Sequence, residues 1–110
     1  MKNIVIVFFI LFLVESSKAQ DGAMVLSDKI ARKMKDSLSL SDSQKNQLYT
    51  INMQLVERKK ALWVQYASRD SIAYYLQKIE GTRDSLYHTV LSDDKYLLYK
   101  QKKSRLVNNN

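Results

Sequence analysis

Proline is absent from this 110-residue chain, and glycine occurs only at Gly22 and Gly81. With so few helix breakers and turn formers, the chain favours long helices over a β-sandwich. Cysteine is absent as well, so no disulfide can staple the fold and no lipid can be attached through a cysteine. Stability must come from side-chain packing, or from surface buried in an oligomer.

The N-terminus reads as an export signal. Lys2 supplies a positive start, Ile4 to Val14 form an unbroken apolar run, and Ser17-Lys18-Ala19 precedes Gln20 as a small-x-small cleavage pattern. Eleven apolar residues at ~1.5 Å each reach about 17 Å, short of a ~30 Å hydrocarbon core. The expectation is a signal peptide over 1–19, cleaved after Ala19, a periplasmic destination, and no stable membrane insertion afterwards. Cleavage takes nineteen of 110 residues and leaves 91, enough for one small domain. Lys2 and Lys18 leave against Glu15, so the mature protein keeps +6 of the formal +7 charge.

Hydrophobic spacing divides the rest. A mobile polar leader is expected over 20–24, a helical domain over 25–106 and a polar tail over 107–110. Leu26, Ile30, Met34 and Leu38 recur every four residues as one helix stripe, and the helix loosens at Ser37 and Ser39. Ser41-Asp42-Ser43-Gln44 is a capping box that opens a second helix, with Asp42 at the favourable end of the helix dipole. Leu48, Ile51, Leu55, Leu62 and Tyr66 hold its stripe, widened by Val56 and Trp63. Helical from Asp42 to Ala67, it would be about 39 Å long. A break is expected at Ser68-Arg69-Asp70, although a continuous helix stays open. Ile72, Leu76, Ile79, Leu86 and Val90 trace the next stripe, with Gly81 marking a kink or a close helix crossing. In the adjacent pair Tyr74 and Tyr75, at least one ring should lie off that stripe. Ser92-Asp93-Asp94 caps a last helix, whose apolar side is Tyr96, Leu98, Tyr99 and Leu106.

The two strongest caps repeat one another: Leu40-Ser41-Asp42-Ser43-Gln44 returns as Leu91-Ser92-Asp93-Asp94-Lys95. Together with the signal segment, the small cysteine-free domain and the helical patterning, these boxes resemble the LTxxQ motifs of the Spy/CpxP-like family, in its shorter variants. The resemblance covers Leu26 to Arg105. Its best anchor is Leu40, Ser41 and Gln44, with serine in place of threonine, while the second box (Leu91, Ser92, Lys95) departs by placing lysine where the family has glutamine. What the resemblance implies is an all-α fold: a bent antiparallel hairpin of three to four helices, dimerising into a concave cradle. It also implies either a chaperone that holds unfolded clients without ATP or a regulator that docks on an envelope sensor protein.

The residues offer little for catalysis. One histidine and no cysteine leave no nucleophilic or metal-ligand set, so neither an enzyme nor a cofactor is expected. Asp84 and His88, four apart, suit a helical ion pair. The dispersed Met24, Met34 and Met53 fit packing better than the metal-responsive sensor that kinship with some family members would suggest. Binding is better served. Arg58-Lys59-Lys60 adjoins Trp63 and Tyr66, and Arg32, Lys33 and Lys35 form a second basic cluster. Joined with Met53, these residues are expected to make one cationic, apolar surface for unfolded or envelope-protein clients on a homodimer. Export argues against nucleic acid as the partner of this basic chain.

Overall fold

The computed structural model describes residues 22–66 and 69–108. The expected signal peptide and its cleavage site lie outside them. Helix α1 spans 22–38, α2 Asp42–Gln65, α3 Arg69–Val90 and α4 Asp93–Lys103, the last running into a π-helical turn at Ser104–Asn108. The described residues contain no strand. The fold is all-α, as expected, and measures 55 × 36 × 22 Å.

Local sequence sets each helix end. α1 stops where Ser39 turns left-handed at φ 56° and the Leu40 N–H donates to the Lys35 carbonyl at 3.0 Å. That is a Schellman closure with serine in the place glycine usually takes. α2 opens on the complete capping box: the Ser41 hydroxyl accepts from the Gln44 N–H at 3.1 Å, and Gln44 Oε1 accepts from the Ser41 N–H at 3.0 Å. Tyr66 is extended (φ −114°, ψ 126°), so α2 ends two residues before the expected Ala67 and is not continuous with α3. Ser92 caps α4 by accepting from the Lys95 N–H at 3.3 Å. Lys95 does not return the bond, because an ammonium cannot accept from a backbone N–H.

Every consecutive pair of helices is antiparallel. Ser27 lies against Asn52, Lys59 against Glu80 and Tyr99 against Asp84. The chain closes back on itself through reciprocal contacts of α1 and α4: Lys33 Nζ donates to the Arg105 carbonyl at 3.3 Å and Lys102 Nζ to the Ser37 carbonyl at 3.2 Å. The two caps also meet, since Gln44 Nε2 donates to the Val90 carbonyl at 3.2 Å. Gln44 thus serves its own helix with one atom and the α3–α4 turn with another.

The core joins Ile30, Met34 and Leu38 of α1 to Leu48, Ile51 and Leu55 of α2, and these to Ile79 and Tyr87 of α3. Tyr99, Leu106 and Val107 close it from the C-terminal end, and both cap leucines, Leu40 and Leu91, are buried. Three expectations change. Residues 22–24 are already helical, so the leader is shorter than 20–24. The α1 stripe rotates: Leu26 is 38% exposed, while Ser27 and Ala31 are buried in its stead. Gly81 marks no close crossing, because a Cβ there would meet nothing within 4 Å, and α3 continues unbroken through it.

Candidate functional site

At 3.6 residues per turn, Val56, Lys59, Lys60 and Trp63 share one flank of α2. With Leu26, Ser27 and Ile30 of α1 they line a groove of about 230 Å³, whose floor includes Asn52 and Arg83. Trp63, which lines the groove, is 58% exposed, and its neighbour Val64 is 90% exposed. α1 packs antiparallel with Ser27 at Asn52. The apolar groups at the end of α2 face water.

Beneath the groove runs a buried polar chain. Asn52 Nδ2 donates to the Ser27 carbonyl at 3.0 Å. The Tyr87 hydroxyl donates to Asn52 Oδ1. Arg83 Nη1 donates to the Tyr87 oxygen at 2.9 Å, and Arg83 Nε to Glu80 at 2.9 Å. Glu80 also takes Lys59 at 2.8 Å, which carries the chain from the interior to the groove rim. Burial opposes the charged form of Glu80, but Lys59 and Arg83 outweigh it and hold its pKa below the usual carboxylate value. Burial likewise works against the Arg83 guanidinium, and the neighbouring Tyr87 and Glu80 more than offset it.

A second cluster binds α3 to α4. Asp84 accepts from the Tyr99 hydroxyl at 2.8 Å, from Lys100 at 2.9 Å and from Lys103 at 2.9 Å. Burial raises the Asp84 pKa, yet the hydrogen bonds from Lys100, Lys103 and Tyr99 prevail and lower it. Asp84 therefore does not pair with His88 as expected. His88 instead meets Asp93 at 3.0 Å and stacks on Tyr96 with ring centroids 4.0 Å apart. The three donors from α4 outbid a single helical neighbour.

The surface expected from sequence separates into several. Lys59, Lys60 and Trp63 come together in the groove. Arg58 lies on the other flank of the α2–α3 pair, in a recess with Leu62, Tyr75 and Lys78. Tyr66 stacks on Tyr75 at 4.7 Å. Met53 is half-buried beside Asn52 on α2. On α1, Arg32 pairs with Asp28 at 2.8 Å, Lys35 pairs with Asp42, and Lys33 turns toward α4. Residues 32, 33 and 35 follow one another around a helix, so they cannot all face the groove. Tyr74 is exposed and Tyr75 half-buried, the division expected of adjacent phases.

Ser27, Asn52, Arg83 and Tyr87 were not singled out by sequence. A signal was present, because Asn52 falls in phase with Leu48 and Leu55, and Arg83 in phase with Ile79 and Tyr87. A polar side chain at core phase has to find a buried partner. Among the described residues no three His, Asp or Glu side chains converge as a metal site, and no helix is long and apolar enough to cross a membrane. The groove thus offers cationic and hydroxyl donors beside apolar walls, an arrangement suited to binding. No protein-family model, curated protein or solved structure matches the chain.

Proposed function

We propose that the protein is an exported, ATP-independent chaperone or envelope-stress binding protein that holds unfolded polypeptides on the groove side of α2. The observation that carries this reading is the exposure of Trp63 and Val64 next to Lys59 and Lys60. Apolar groups in water gain free energy by covering exposed apolar segments of a client, and the lysines attract its acidic stretches. The binding surface of this proposal is narrower than the sequence suggests: it keeps Lys59, Lys60 and Trp63 and adds Leu26, Val56 and Val64. Homodimerisation belongs to the proposal and would present two such surfaces, provided that it leaves Trp63 and Val64 uncovered.

The test is to add the purified protein to a reduced, aggregating client and follow light scattering. Suppression at several-fold excess, lost in Trp63→Ser with Val64→Ser, is the expected result. No suppression by the unaltered protein would remove the reading. Crosslinking in cells should give many client species; one dominant species would favour a regulator docked on a single envelope partner instead.

A further inference from the structure

The floor of the groove carries polar groups that holding an unfolded chain does not require. Ser27 is 1% exposed and lines the groove, and its hydroxyl has no hydrogen-bond partner. A buried hydroxyl left unpaired is costly, and such a group inside a binding groove marks a place where a ligand atom belongs. Arg83, 5% exposed, also lines the groove. Its bonds to Glu80, Asn52 and Tyr87 use Nε and Nη1, and Nη2 takes no part in them.

Charge indicates what these donors would meet. Lys59 and Arg83 share the single carboxylate of Glu80, and Lys60 has Glu57 at 3.7 Å on the exposed surface. Three cations against two carboxylates leave one positive charge at the groove. That balance suits a monoanion; a doubly charged phosphate would be left in excess. Above the donors, Leu26, Ile30, Val56 and Trp63 supply apolar walls. At the ~30 Å³ that one water occupies in the liquid, the groove of about 230 Å³ has room for about eight non-hydrogen atoms, and the end of a slightly longer chain would lie outside it.

We infer that the groove binds a short aliphatic carboxylate, with its oxygens at Ser27 Oγ and Arg83 Nη2 and its chain along Leu26, Val56 and Trp63. The site does not depend on the client-holding reading, and either stands if the other fails. Its probe is built in, since Trp63 is the chain's only tryptophan and lines the groove.

The experiment titrates octanoate into the purified protein while recording tryptophan emission, with octanamide and octylamine in parallel. Octanoate should shift the emission saturably and bind at least about tenfold more tightly than either analogue, because a charged hydrogen bond discriminates by that order. Ser27→Ala, which removes only the hydroxyl, should weaken octanoate about fivefold or more and octanamide by less, because the bond to the charged acceptor is the stronger. Arg83→Gln should abolish the preference for the carboxylate. Should that variant fail to fold, Ser27→Ala and Lys60→Gln decide the matter by the same ratio of octanoate to octanamide. Equal binding of octanoate and octanamide, no saturable shift with octanoate, or unchanged octanoate binding in Ser27→Ala would each overturn the inference.

Discussion

The Tyr87 hydroxyl donates to the Asn52 side-chain carbonyl, joining α3 to α2 across 35 residues of sequence at a point closed to solvent on both sides. Each group is the other's means of burial. The pair also fixes which turn of α2 faces which turn of α3, because sliding either helix would leave two buried polar groups unpaired.

Tyr87→Phe should therefore destabilise the fold by about 1–3 kcal/mol. It leaves Asn52 Oδ1 with only the 3.4 Å bond from Arg83. Tyr96→Phe, on a half-buried ring that forms no such bond, should stay within about 0.5 kcal/mol of the parent. Urea unfolding followed by circular dichroism measures both. Equal effects would show that the buried pair contributes nothing beyond ring packing.

Acid should loosen the molecule through Asp84 and Glu80. Both folded-state pKa values are depressed, from ordinary values of 3.8 and 4.5. Their stabilising contribution is present above those ordinary values and is lost as pH falls through the lower folded-state values. The melting temperature should hold steady down to about pH 5 and decline below about pH 4. Asp84→Asn should start lower at neutral pH and decline less steeply. Thermal melts between pH 3 and 7 read the difference in slope.

At the end of α1, Ser39→Gly should stabilise the protein. Ser39 sits at φ 56°, where a side chain costs about 1 kcal/mol that glycine avoids, less glycine's greater freedom when unfolded. A net gain of about 0.5 kcal/mol, seen as a higher urea midpoint, is expected. Ser39→Ala should give no gain.

Trp63 and Val64 should be dispensable for stability and needed for binding. Trp63→Ser with Val64→Ser should shift unfolding by less than about 1 kcal/mol, because both side chains are exposed. Leu55→Ala, at a fully buried position, should cost about 2–5 kcal/mol. Melting curves paired with the light-scattering assay separate a binding surface from a structural one: only the first pair should lose client holding while the fold persists.

Much of the architecture was legible before any tertiary contact. Ser41 with Gln44, and Ser92, cap helices where their spacing to the backbone requires, and the stripes of Leu48, Ile51 and Leu55 and of Ile30, Met34 and Leu38 are buried as periodicity predicts. The fate of charged side chains was not legible. Asp84 chose three donors from α4 over His88, and the basic residues of α1 dispersed to Asp28, Asp42 and the carbonyl of Arg105. Partners of that kind lie on other helices, so local spacing cannot rank them.

What the sequence determined by itself is local: which serines cap α2 and α4, and, Leu26 of α1 apart, which side of each helix is apolar. These follow from hydrogen bonds and spacing within a few residues. Only the tertiary structure decided that Ser27, Asn52, Arg83 and Tyr87 would share one buried polar chain, and that Lys59, Lys60 and Trp63 would stand over it. The rotation and register of packed helices are set by side chains distant along the chain, which must all be satisfied at once.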